Sequence, residues 1–196
     1  MNIFYFYFKL GVQHILDLQG YDHILFIAAM TAVYVIGEWK HVLVLATAFT
    51  IGHTTTLALA TLNLINVPTQ LIEALIAFTI FLTGFFNLFK VKDDFSKKMQ
   101  IIKYFVALFF GLIHGLGFSN YLKYLLGEEM SIVKPLFAFN LGLEIGQIVI
   151  ISAVLFLSFL LINKAKVKRR EWNLVISGAA MGIALMLLID RLTLMF

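Results

Sequence analysis

The chain has no cysteine among its 196 residues and only two prolines. Without thiols there can be no disulfide, thiolate metal site, haem attachment or cysteine nucleophile. Any metal must be held by imidazole, carboxylate, carbonyl or water. Charge is scarce as well. Asp, Glu, Lys and Arg make up 13% of the chain, against about 25% in soluble domains.

What is abundant is apolar. Hydrophobic residues reach 61%, phenylalanine alone contributes 20, and the mean hydropathy is +0.94. The excess is spread along the whole length, which reads as one integral membrane domain over 1–196. A span needs about 20 apolar residues, so the length holds about six spans and little else. The net charge of +4, from 15 basic and 11 acidic side chains, then reports loop topology rather than nucleic-acid binding. The opening "MNIFYFYFKLGVQHIL" lacks a basic n-region and a small-residue cleavage site, so it does not read as a cleaved signal peptide.

Six apolar runs stand near 20–37, 41–63, 68–89, 100–126, 132–163 and 172–195. Barrel strands would be shorter and would alternate apolar with polar, so the expected fold is an all-α, polytopic membrane helix bundle. The aromatic-rich segment 2–17 is too short for a full span. It is expected to form a helix at the interface or dipping partway in, with a short seventh span as the alternative. Basic residues cluster in "KVKDDFSKKMQIIK" and "NKAKVKRRE", with Lys40 on the same face. The positive-inside rule makes the loops near 90–103 and 164–171 cytoplasmic. The first run then starts outside, and the sixth ends there.

Counting at about 1.5 Å per residue gives each polar residue a depth. His53 falls about 20 Å above the cytoplasmic end of its run and His114 about 17 Å above the start of its own. Asp22 and His23 begin the first run, and Glu73 lies one turn into the third from outside. Asn140, Glu144 and Gln147 lie one to three turns into the fifth. Most of the intramembrane polarity is therefore expected between the midplane and the outer surface.

Three stretches carry the chemistry. In "FTIGHTTTLALAT", Thr50, His53, Thr54 and Thr61 share one helical stripe, and a polar stripe in a span should face the bundle interior. In "FFGLIHGLGFSNYL", Gly111 and Gly115 flank His114, and small residues let backbones approach closely. In "FNLGLEIGQIV", Asn140, Glu144 and Gln147 share a face. A glutamate there must be protonated, paired or metal-bound. The bland alternatives are helix-bridging histidines, threonines bonded to their own helix and a protonated structural glutamate. Taken together, His14, Asp22, His23, His53, His114 and Glu144 form a candidate metal set supported by Thr50, Thr54, Asn140, Gln147 and Glu73. Imidazoles and carboxylates without thiolate suit a first-row divalent ion such as nickel, cobalt or zinc.

"GVQHILDLQGYDHILF", "FTIGHTTTLALA", "HGLGFS" and "FNLGLEIGQ", in this order, resemble the HupE/UreJ family of bacterial membrane proteins, in its divergent second branch. The resemblance implies about six helices, a place in the bacterial inner membrane and a nickel or cobalt permease. It maps a metal-handling signature onto His14, Gly20, Asp22 and His23, and further family histidines onto His53 and His114. The spacing from His14 to Asp22 is longer than in the familiar nickel–cobalt permease element.

Two mechanisms fit these residues. In a divalent-metal permease, Asp22 and His23 would capture the ion at the outer mouth, and His53, His114 and Glu144 would hold it deeper. In an intramembrane zinc hydrolase acting on a lipid or membrane-anchored substrate, the histidines would hold zinc with an open position for water. Glu144 or Asp22 would then be the general base. A non-catalytic assembly subunit is the third class. Partners beyond the bilayer and the metal ion, and the oligomeric state, are not readable from the sequence.

Overall fold

The computed structural model describes residues 2–89, 97–126 and 131–195. Eight α-helices form among them: α1 (Ile3–Ile15), α2 (Asp22–Ala32), α3 (Trp39–Thr61), α4 (Thr69–Leu88), α5 (Lys97–Gly117), α6 (Ser119–Leu126), α7 (Val133–Phe159) and α8 (Arg169–Thr193). A 3₁₀ turn at Ile36–Glu38 leads into α3, and a π turn at Leu160–Lys164 extends α7. Five helical stretches, those of α3, α4, α5, α7 and α8, are long and apolar enough to cross a membrane. Large apolar side chains such as Phe105, Phe109, Phe156 and Met186 lie exposed on the outside of the bundle, as lipid contact requires.

The first expected run is shorter than its sequence suggested. Its helix, α2, has 11 residues, too few for a crossing on its own. The segment before it forms α1, which is packed into the bundle. It packs lengthwise and parallel along α7, because Gly142 and Gly146 admit its backbone. A methyl group at Gly142 would meet the carbonyl of Phe8, and one at Gly11 the carbonyl of Phe139. The two short helices thus run in the same direction, one after the other, as the halves of one broken crossing. The break is written in "LDLQGY". Asp17 Oδ1 accepts from the Gln19 N–H at 2.9 Å, an Asx turn that competes with helix continuation. The fourth run also divides, with Phe118 as the turn between α5 and α6.

Two further close pairs complete the bundle. α3 and α5 run parallel, their glycines facing each other's carbonyls, and the Thr56 hydroxyl donates across to Leu112 O at 2.7 Å. α4 and α8 run antiparallel around a buried knot. In it Asn87 Nδ2 donates to Ala29 O (2.7 Å) and Ser177 Oγ (3.1 Å), and Asn173 Nδ2 donates to Asn87 O (2.9 Å). Every polar group joined here would otherwise be stranded in hydrocarbon.

Helix direction places the start of α3, the end of α4 and the starts of α5 and α8 at one end. That end carries Lys40, Lys98, Lys103, Lys164, Lys166, Lys168, Arg169 and Arg170. Arg169 Nη2 meets Glu38 Oε2 at 2.7 Å there. Part of the expected basic loop, residues 90–96, lies outside the described residues.

Candidate metal centre

Four of the five histidines converge where the broken crossing interrupts the bundle. His14 lies in the last turn of α1, His23 in the first turn of α2, His53 two turns before the end of α3, and His114 in the last turn of α5. Ring centroids are 4.6 Å apart for His14–His23, 5.9 Å for His14–His53, 5.8 Å for His23–His53 and 5.2 Å for His23–His114. One ring nitrogen from each of His14, His23 and His53 lies within 4.8 Å of the other two. A tetrahedral ion with ligands at about 2.0–2.1 Å needs them about 3.4 Å apart, so side-chain shifts of roughly an ångström close the set.

The helices reach this point because small residues let them. A methyl group at Gly115 would strike the carbonyl of His53, and one at Gly111 the carbonyl of Phe49. Aromatic rings wall the cluster. Phe118 and Phe139 stack near His14 at 4.2 and 5.7 Å, while Phe26 and Phe49 lie 5.2 and 5.1 Å from His114. Among these apolar walls the polar atoms stand out. Both ring nitrogens of His53, Nε2 of His14, Nε2 of His23 and Nδ1 of His114 are buried with no hydrogen-bond partner among the described residues. Each such atom costs about 1–3 kcal/mol, and one cation shared by several of them would offset that cost.

The hydrogen-bond network fixes two tautomers. Asp22 Oδ1 accepts from the His23 backbone N–H at 2.9 Å and lies 3.2 Å from His23 Nδ1. An ionised carboxylate only accepts, so Nδ1 carries the proton and Nε2 presents a lone pair. On α4, the Thr79 hydroxyl donates its one proton to Ile76 O at 2.8 Å. It therefore accepts from His114 Nε2, 2.9 Å away, and leaves His114 Nδ1 as the bare lone pair.

The other expected residues divide. Asp22 lines a pocket with Glu73 and Arg191, and His23 is buried behind it. Asp22 and His23 start α2 beside His14 and His53, just past the end of α1. Thr50 and Thr54 bridge α3 to α7, donating to Gln147 Oε1 at 3.0 Å and Asn140 Oδ1 at 2.6 Å. Gln147 Nε2 is buried without a partner among the described residues. Glu144 lies between those two amides, half-buried and outside the histidine triad, with no hydrogen-bond or ion-pair partner among the described residues. Glu73 pairs with Arg191 at 3.3 Å. That pair and Asp22 line a pocket of about 290 Å³ together with Gln19 and Gly20. The sequence reading missed Thr79, which carried no signal beyond being one hydroxyl in an apolar run. His41 stands apart in the first turn of α3.

A family model described as HupE / UreJ protein matches residues 1–191. The chain belongs to the HupE/UreJ family. No curated protein and no solved structure matches it.

Proposed function

We propose, from membership of the HupE/UreJ family as the premise, that the chain is a membrane permease for a divalent transition metal, nickel or cobalt. The observation that carries this reading is the triad of His14, His23 and His53, one ring nitrogen of each within 4.8 Å of the other two, with buried ring nitrogens that have no hydrogen-bond partner among the described residues. Three neutral imidazoles suit late first-row ions. The ion is cargo, so binding must be weak enough to leave. A site built on the ends of two half-helices suits that need. The C-terminal end of α1 presents partial negative charge to a cation, a device that discontinuous transport helices use.

In this reading Asp22 acts through His23, holding its ring and fixing its tautomer. His114, aimed by Thr79, is a further ligand for an ion passing the triad. Glu144 lies on the same α7 face as Asn140 and Gln147, toward the bridge to α3, where it would serve an ion or proton moving past the triad. The pocket lined by Asp22, Glu73 and Arg191 is the approach from the outer surface, and the basic end is cytoplasmic by the positive-inside rule. The membrane is the bacterial inner membrane.

The test is metal content of the purified protein by mass spectrometry after loading with nickel, cobalt or zinc, wild type beside His14→Ala and His53→Ala. About one exchangeable nickel or cobalt per chain, lost in both variants, together with uptake into proteoliposomes, is the expected result. A tightly retained zinc without uptake would replace the permease by an intramembrane hydrolase. No metal in any sample would remove both.

A further inference from the structure

The seam between α3 and α7 holds more oxygen than its hydrogen bonds use. Asn140 Nδ2 donates to Leu136 O at 2.8 Å, which turns Oδ1 toward α3. There Thr54 Oγ lies 2.6 Å from Asn140 Oδ1 and 2.7 Å from Thr50 O of its own helix. A hydroxyl has one proton, so one of these two contacts is oxygen against oxygen with no proton between. One turn toward the basic end, Thr50 Oγ and Gln147 Oε1 lie 3.0 Å apart. Gln147 is 1% exposed, and its amide nitrogen has no partner among the described residues. Turned over, the same amide donates Nε2 to the Thr50 hydroxyl and puts Oε1 in the unpartnered place. Glu144 completes the row. It stands one turn from each amide on the same face of α7, its carboxyl without a hydrogen-bond or ion-pair partner among the described residues.

Depth and charge choose the occupant. From the start of α7 at Val133, Glu144 lies about 16 Å along the helix at 1.5 Å per residue, near the middle of a hydrocarbon core about 30 Å thick. A carboxylate at that depth needs a counter-charge. Carboxylate, amide and hydroxyl oxygens are hard ligands and suit a hard cation, whereas the imidazoles of the triad suit a late transition metal. One carboxylate balances one positive charge, and a divalent ion would leave net charge stranded in a dry seam. Thr50 and Thr54 stand about 6 Å apart along α3. A cation of calcium's size, with oxygen ligands at about 2.3–2.6 Å on either side, bridges most of that interval. Sodium has this size with a single charge, and potassium is larger.

We infer that Glu144, Asn140, Gln147, Thr50 and Thr54 form a sodium site between α3 and α7, separate from the histidine triad and level with it. Thr50 and Thr54 flank His53 on α3. On its other face α7 carries Gly142 and Gly146, against which α1, the helix of His14, packs. A sodium ion drawn into the seam ties together the helices that bring two of the three histidines, so its arrival and departure reposition them. A sodium gradient is thereby coupled to movement of the transition metal. This coupling rests on the permease reading; sodium binding does not.

Full-length protein in detergent is equilibrated with radioactive sodium, choline chloride holding the ionic strength, and bound sodium is counted by scintillation proximity. The wild type is expected to show saturable binding that unlabelled sodium chloride displaces and potassium chloride displaces far less well. Glu144→Gln keeps the shape and removes the charge, and should weaken binding about tenfold or more. Thr54→Val removes one ligand oxygen and should weaken it several-fold. A wild-type melting temperature in choline chloride shows that a variant is folded, and because the two replace ligands on different helices, either alone reads the site. No saturable sodium binding, binding unchanged in the variants, or equal displacement by potassium overturns the proposal. In proteoliposomes an inward sodium gradient should speed nickel or cobalt uptake. Uptake driven by a proton gradient alone assigns Glu144 to protons and overturns the coupling. Sodium bound with no transition metal moved leaves the sodium site standing and removes the permease instead.

Discussion

Replacing Asp22 by Asn isolates what the carboxylate does for the metal centre. Both of its interactions with His23 go to Oδ1, one from the backbone N–H and one from Nδ1. An asparagine keeps an oxygen in that place, so the first turn of α2 still finds its acceptor. What changes is charge. A hydrogen bond to a charged acceptor contributes about 1.5–3 kcal/mol and a neutral one about 0.5–1.5. The difference, about 1–1.5 kcal/mol, is roughly a factor of ten in metal affinity, at the lower edge of the 10–100-fold typical of groups that orient metal-ligating histidines. The side chain of His23 is 4% exposed and that of Asp22 29%, so solvent does not replace the lost charge at the ring. Isothermal titration of the purified protein with nickel or cobalt should show Asp22→Asn weaker by about tenfold. In a His23→Ala background the same substitution should have no further effect, since it acts only through that ring. An affinity within threefold of wild type, or an undiminished effect without His23, would refute the assigned role.

Three other substitutions probe neighbouring parts of the site. Gly115→Ala drives a methyl into the carbonyl of His53. It should destabilise the protein by about 1–3 kcal/mol, read as a lowered melting temperature, and displace His53 enough to weaken metal binding. Thr79→Val removes the acceptor that fixes the His114 tautomer, while Thr79→Ser keeps it. Nitrogen NMR of His114 should report mixed tautomers in the valine variant and a single one in the serine variant. Glu144→Gln lies outside the triad and should leave metal stoichiometry unchanged while altering proteoliposome uptake. A lost metal ion would instead place Glu144 among the ligands.

The legibility of this fold in its sequence follows from which signals are local. Long apolar runs and basic loops are local, so α3, α4, α7 and α8 lie close to where hydropathy puts them, and the basic residues gather at one end as the charge pattern requires. The histidine meeting was legible for a related reason. A polar stripe such as Thr50, His53 and Thr54 has only the bundle interior to face, so several stripes must face one another. The broken first crossing was not legible. "MNIFYFYFKLGVQHIL" has an interfacial composition, and nothing within it announces that Gly142 and Gly146, more than a hundred residues away, leave a channel for its backbone. That pairing is tertiary. With α1 packed along α7, "DH" becomes the start of a short helix beside His14 and His53. A break that an Asx turn at Asp17 and Gln19 makes locally possible thus acquires its purpose only from the helix beside it. The same interruption that brings His14 beside His23 also gives the bundle a stretch where the chain can bend without losing a full helix of hydrogen bonds.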